Sequence, residues 1–259
     1  MLPAFTGHAP CNQCGYDLHG LPLDGNCPEC SRPVAISLQG DELRFAATPY
    51  LKTVSKGLKI YYVTGVVLIA MGVLKIIVGI AAALATGVKD PFDEYFELVD
   101  VGLAIAGLVG FYYFTSPDPG RLAVEAPRSA RVLARVGLVL SFIGSVSQLF
   151  TVVSPVTVTQ PLTAAGIVSI LVASCSFIGF IMFFFYGLRY TEWVFRRVPD
   201  VESVLTCRKY MWLLPLIAIL GSCLVVGPLV AMGMHLALLW KLRKFITPIL
   251  EERRAKEGE

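Results

Sequence analysis

The sequence predicts an all-α polytopic membrane bundle of six transmembrane helices, with a small cysteine-rich β head at its N-terminus. Three observations carry this. Hydrophobic types make up 55% of the 259 residues and charged types only 16%, against roughly 45–50% and about 25% in soluble domains. The apolar residues gather into runs near the about 20 residues that cross a bilayer, and mean hydropathy is +0.67. Four of the seven cysteines crowd into residues 11–30, while Cys175, Cys207 and Cys223 are scattered.

Residues 1–33 form the turn-rich head, and 34–59 a linker ending in a basic stretch. Residues 60–246 form the membrane domain, followed by a charged tail at 247–259. Thr48-Pro49 marks a helix start, with Thr as N-cap and Pro in the first turn. In YLKTVSKGLK, Lys52, Lys56 and Lys59 recur on one face, away from Tyr50, Leu51, Val54 and Leu58. Such a segment suits an interfacial helix, basic toward anionic headgroups and apolar toward the chains; it equally suits a plain extension of the first span.

Five apolar runs follow, near 60–84, 97–115, 132–153, 164–188 and 210–240. Asp90-Pro91 with Asp93 reads as a capping start for the second. Ser116-Pro117-Asp118-Pro119-Gly120 stops it, and Ser154-Pro155 ends the third. The last run is too long for one span and carries Gly227-Pro228 inside it, which predicts a hairpin of two helices turning there.

Charge distribution decides between five and six spans, because cytosolic segments hold the excess of Lys and Arg. Six spans place twenty of the 22 basic residues on one side, together with both termini. Five would leave Lys241, Arg243, Lys244, Arg253, Arg254 and Lys256 on the other side. Six spans with both termini cytosolic is therefore the predicted topology. Small residues recur at packing intervals: Gly65, Gly72 and Gly79; Gly102, Ala106 and Gly110; and a third face of Ser141, Gly144, Ser145 and Gln148. Faces of this kind let membrane helices approach closely, with polar side chains bonding across. They suit a compact bundle and also a homo-oligomer surface.

The head sequence CNQCGYDLHGLPLDGNCPEC has the form C-x2-C-x12-C-x2-C. No basic region followed by an apolar core opens the chain, so no cleavable signal is expected and the head stays in a reducing cytosol. Paired cysteines there read as a metal site, not as disulfides. Cys11, Cys14, Cys27 and Cys30 supply the four thiolates of a closed tetrahedral zinc site. Gly15 and Pro28 suit turns that aim backbone N–H groups at sulfur. His8 and His19 read as surface residues beside a complete ligand set. The turns CGY and CPEC resemble the iron-binding turns of rubredoxins, but no Trp or Phe lies between the cysteine pairs. Zinc is therefore expected, with iron and a membrane-tethered electron carrier as the alternative.

Through residue 33 the head has one basic side chain, Arg32, against Asp17, Asp24 and Glu29. Phosphate backbones need a positive surface, so nucleic acid is excluded as a partner. Docking to other proteins, or to the chain's own basic loops, fits the charge.

C-x2-C-G-Y-D-L-x-G-L followed by C-P-E-C, a basic amphipathic stretch and an apolar bundle resembles a group of uncharacterised bacterial zinc-ribbon multi-pass membrane proteins. The likeness is close over residues 11–33 and looser in FRRVPD at 195–200 and GPLVAMGMHLALLWKLRK at 227–244. His19 stands where Arg is common, and Ser31 where Gly follows the last cysteine. The resemblance implies a zinc ribbon, a fold plan and a bacterial inner (cytoplasmic) membrane, and it implies no activity.

Ionisable groups inside a span are functional suspects by default. Lys75 lies well along the first span, and Glu97 and Asp100 near the outer end of the antiparallel second. A Lys75–Asp100 ion pair is predicted. His235 reads as a hydrogen-bonded packing residue, Cys175 and Cys223 as small apolar fillers, and Cys207 as a plain cytosolic thiol. Pro215 and Pro228 bend the last hairpin. No nucleophile–base set, phosphate loop or HExxH pair is present, so the chain is expected to be non-enzymatic. The expected role is a membrane-anchored protein-interaction or assembly module, with a small-solute transporter as a further alternative.

Overall fold

The computed structural model describes residues 4–11, 13–38, 42–85, 93–119, 128–153, 164–198, 200–221 and 226–257. After the head come a short helix α1 (Val34–Leu38), a 3-10 turn (Leu43–Phe45) and six long helices. These are α2 (Thr48–Ala85), α3 (Asp93–Phe114), α4 (Arg128–Val153), α5 (Ala164–Arg196), α6 (Val201–Leu220) and α7 (Gly227–Glu257). Each packs against the next and α7 returns to α2, closing a ring.

α2 to α6 are each long and apolar enough to cross a membrane. α7 is not apolar for long enough. Between Gly227 and Trp240 it is apolar, but Lys241, Arg243 and Lys244 follow, so at 1.5 Å per residue the apolar part covers only about 20 Å. A helix with so short an apolar stretch belongs against other helices, and Ala231, Leu236, Leu239 and Leu242 are buried accordingly. Away from the head, large apolar side chains face outward: Leu84 is 84% exposed and Leu220 73%. Water would not tolerate so large an apolar surface, but lipid chains are its natural solvent.

The basic stretch is not a separate helix. α2 runs unbroken from Thr48, and Tyr50, Leu51, Val54 and Leu58 are buried in the protein core rather than turned to lipid. The first helical N–H, that of Leu51, bonds to the Ala47 carbonyl, so Ala47 takes the cap position expected of Thr48. α6 ends at Leu220 and α7 begins at Gly227, so Gly227-Pro228 opens the last helix instead of lying at a turn inside it. A missing N–H costs nothing in a first helical turn. α6 starts at Val201, well before the apolar run. Its N-cap Asp200 accepts the Ser203 N–H at 3.2 Å and the Ser203 hydroxyl at 2.6 Å. That earlier start draws Cys207 into the core, where it is a free thiol but fully buried. The proposed capping at Asp90-Pro91, the stop at Ser154-Pro155, and Cys223 lie outside the described residues.

Glycine brings two helix pairs to backbone contact. Gly57 lies against the backbone of Phe114, and Gly110 against Tyr61, joining α2 and α3. Gly137 against Phe183 and Gly179 against Leu140 join α4 and α5. None of these four positions has room for a Cβ. Of the small-residue faces read from sequence, Gly65 and Gly72 meet Leu236 and Leu229 of α7, while Gly79 and Gly102 face open space. Ser141 and Ser145 turn their hydroxyls back to their own helix. The bond across to α4 comes from Ser176, to the Leu140 carbonyl at 3.2 Å. The Gln148 side chain lies outside the described residues.

The buried core residues gather toward the head end. Tyr61, Phe183 and Phe184 surround His235, whose ring stacks on Phe183 with centroids 5.7 Å apart. His235 is a packing residue, as expected, but neither ring nitrogen has a hydrogen-bond partner among the described residues. Arg197, fully buried, bonds Asp118 at 2.8 Å, and its carbonyl accepts the Leu43 N–H. The loops after α3 and α5 and the approach to α2 are thereby locked together.

Candidate metal centre

Two turns hold the four cysteines, and they repeat each other at an offset of sixteen residues. The Cys11 N–H bonds the Tyr16 carbonyl at 2.7 Å and the Gly15 N–H bonds the Cys11 carbonyl at 2.9 Å. In the second turn the Cys27 N–H bonds the Arg32 carbonyl at 2.8 Å and the Ser31 N–H bonds the Cys27 carbonyl at 2.8 Å. The residue after each second cysteine is left-handed, Gly15 at φ 82° and Ser31 at φ 58°.

Antiparallel bridges at Ala4–Pro22, Pro10–Asp17 and Asn26–Pro33 bring the turns face to face. The expected β ribbon is reduced to these isolated bridges among the described residues. Every bridge contains a proline, which has no N–H to continue a ladder. Leu18, Val34, Cys11 and Cys27 form a small buried core, with Phe5, Leu21 and Leu38 against it.

All four Sγ atoms lie within 4.8 Å of one another. Cys11 and Cys30 are 3.6 Å apart and Cys14 and Cys27 3.5 Å. A tetrahedral ion with metal–sulfur bonds near 2.3 Å has sulfur–sulfur edges of about 3.8 Å. The donor set therefore fits one tetrahedral metal ion.

Burial raises the Cys11 thiol. The backbone N–H groups of Gln13 and Cys14, the Ser37 hydroxyl and the Cys30 thiol outweigh it and bring Cys11 down to about 6. At Cys14 the Tyr16 N–H favours the thiolate, but desolvation and the other three cysteines push it up to about 12. Cys30 is likewise raised: the Arg32 N–H and the Cys14 thiol stabilise its thiolate less than desolvation and the Cys11 and Cys27 sulfurs oppose it. One thiol ionises readily and its neighbours resist a second negative charge. A bound cation removes that conflict. Backbone N–H groups aimed at sulfur appear as the glycine and proline placements predicted. Ser37, on α1 and 3.6 Å from Cys11 Sγ, was not anticipated, since nothing in its sequence context marks it.

His8 and His19 are exposed and stack on each other at 4.4 Å, with His8 Nδ1 2.7 Å from Asp17. Hydrogen bonding from His8, then from the His19 N–H, holds the Asp17 carboxyl below its usual range. The two histidines steady the first turn without joining the sulfurs.

A cleft of about 350 Å³ separates the head from the bundle, lined by Gln13 and Arg32 on one side and Asp118 and Pro119 on the other. Arg32 of the head thus lies across this cleft from Asp118, which is itself paired with Arg197. In the distal half, Lys75 donates to Asp100 at 3.0 Å and also to Glu97 at 2.7 Å. The predicted pair is a three-residue cluster. Glu97 sits one turn before Asp100, so the helical spacing could have shown it.

The fold and the site define a helical protein with five helices, among the described residues, long and apolar enough to cross a membrane, and a four-cysteine head that could hold a metal ion. Comparison with known protein families, with curated proteins and with solved structures returns no match to this chain.

Proposed function

We propose that this is an integral membrane protein of six spans whose head binds zinc in the cytosol and acts as a membrane-anchored protein-interaction or assembly module. The convergence of four sulfurs within 4.8 Å is the observation that carries the reading. Cys11, Cys14, Cys27 and Cys30 would hold the ion, which supplies the folding free energy that a core of this size cannot. A filled thiolate shell leaves no open position for substrate, which favours a structural over a catalytic role.

Six crossings are supported by the return of α7. Its start lies beside Gly72 and its far end bonds the approach to α2, where Arg253 reaches the carbonyls of Ala46 and Arg44 at 2.8 and 2.6 Å. The start of α2 and the far end of α7 therefore lie together, which supports a topology with both termini on one side. Excess Lys and Arg mark the cytosolic side. The sequence resemblance to bacterial zinc-ribbon membrane proteins favours the inner membrane. Acidic surface on the head favours protein partners over nucleic acid.

Elemental analysis with an absorbance spectrum of detergent-purified protein tests the reading, beside a Cys27→Ser/Cys30→Ser variant. About one zinc per chain, absent from the variant and without visible absorbance, is expected. Iron with a visible thiolate band would make this an electron carrier instead.

A further inference from the structure

All glycines of α3 that meet a neighbour meet α2, and those of α4 meet α5. Gly107 and Gly110 face Thr64 and Tyr61, and Gly137 and Gly144 face Phe183 and Ser176. Among the described residues no glycine contact of this kind draws α3 to α4, and a groove of about 450 Å³ remains between them. Leu108, Val109, Leu138 and Val139 form its walls, and the buried Phe111 its floor.

At the head end of this apolar groove stands Arg135. Its Nε donates to the Thr115 hydroxyl at 2.8 Å, and its Nη2 to the carbonyls of Thr115 and Tyr112 at 2.7 and 3.1 Å. The guanidinium lies 4.1 Å from the centroid of the Tyr112 ring. Thr115 follows the last residue of α3, so the charge sits at the edge of the apolar span, at headgroup depth. Nη2 caps two open carbonyls of α3, while Nε is held by the Thr115 hydroxyl. Nη1 makes no hydrogen bond, and no carboxylate pairs with Arg135, among the described residues. A second cation is near: Lys56 Nζ lies 5.3 Å from the ring of Tyr113, which also lines the groove.

An apolar slot with an uncompensated cation at interfacial depth matches one molecule in its surroundings. We propose that the groove between α3 and α4 is a binding site for an anionic phospholipid, one acyl chain lying along Leu108 and Val139 and the phosphate bonded to Arg135. Basic pockets between helices at a membrane surface select acidic headgroups in this way. The site is separate from the cysteine cluster and requires only that α3 and α4 lie in a membrane.

Native mass spectrometry of the delipidated full chain, titrated with phosphatidylglycerol or phosphatidylcholine, tests the proposal. One retained phosphatidylglycerol is expected, preferred about fivefold, the preference one interfacial Arg confers. Inorganic phosphate at matched concentration should not displace it, since the acyl chain anchors it. Val139→Trp fills the groove and leaves the Arg135 contacts in place; it should abolish retention of both lipids. Arg135→Gln should remove the preference while phosphatidylcholine binding persists. Should that variant fail to fold by circular dichroism, Val139→Trp alone decides. Equal retention of the two lipids by the wild type, unchanged retention in Val139→Trp, or displacement by phosphate overturns the proposal.

Discussion

Gly15 and Ser31 occupy equivalent places in two turns sixteen residues apart, and both are left-handed, at φ 82° and 58°. Glycine adopts that conformation freely, whereas an L side chain costs roughly 1–2 kcal/mol. The head therefore carries backbone strain in its second turn that the first avoids. Ser31→Gly should stabilise the metal-loaded head by about 0.5 kcal/mol, after allowing for the greater freedom of glycine in the unfolded chain. Gly15→Ala should weaken it by about 1–2 kcal/mol. Competition with a chromophoric chelator measures both, and equal affinities in all three proteins would sink the comparison.

Metal retention should depend steeply on pH. Cys11 ionises near 6, but Cys14 is held up to about 12 and Cys30 is also raised. At neutral pH Cys14 and Cys30 of the metal-free cluster therefore keep their protons, and binding an ion releases more than one. Affinity should fall by more than roughly tenfold per pH unit on acidification. In the metal-free head, the depressed Cys11 contributes stability that is full above its usual 9.0 and lost as pH falls through about 6. The raised Cys14 works oppositely: its contribution is full below 9.0 and lost as pH rises toward 12. Chelation should lower amide-exchange protection over residues 4–38 and leave α2–α7 protected. A bundle that loosens along with the head would contradict the separate-core picture.

Asp200 gives a different pH signature. Burial raises its carboxyl, but the Ser203 hydroxyl, Lys241 and the Ser203 N–H outweigh this and hold it below the usual 3.8. A depressed acid contributes stability that is complete above its unfolded value and lost as pH falls through its folded value. Its effect is thus constant at neutral pH and disappears below about 3.8. Asp200→Ala should cost about 1 kcal/mol of unfolding free energy in detergent, whereas Asp200→Asn should keep the cap and lose only the Lys241 pair. Equal loss in both variants would shift the weight from the cap to the ion pair.

The cysteine centre was legible because its chemistry is local: spacing alone brings two C-x2-C turns to one ion. Lys75 and Asp100 were legible because a charge within an apolar run stands out and antiparallel order sets their depth. Helix contacts were less so. A membrane helix is apolar on every side, so no periodicity says that Gly57 and Gly137 face a neighbour while Gly79 and Gly102 face open space. The burial of Cys207 was hidden for a related reason. Asp200 starts α6 in a polar segment, and hydropathy does not register a helix before its apolar part. Proline distribution in the head was on the page, yet its consequence, bridges in place of strands, emerges only once Pro10, Pro22 and Pro33 are seen to fall at the pairing positions.

Lys75 separates a structural cluster from a transport site. Its ammonium bonds two carboxylates, and the three side chains are 24%, 14% and 28% exposed. Lys75→Met leaves Glu97 and Asp100 facing each other without a cation, a loss of about 1–3 kcal/mol, discounted from the cost of breaking a fully buried pair because lipid-edge water reaches the site. Neutralising Asp100 alone should restore only part, since Glu97 remains. The combination Lys75→Met/Glu97→Gln/Asp100→Asn should return thermal stability in detergent close to that of the wild type. That rescue is the signature of a structural role. A triple variant that folds as well as the wild type but loses a measurable ion or solute flux in liposomes would instead assign these residues to transport.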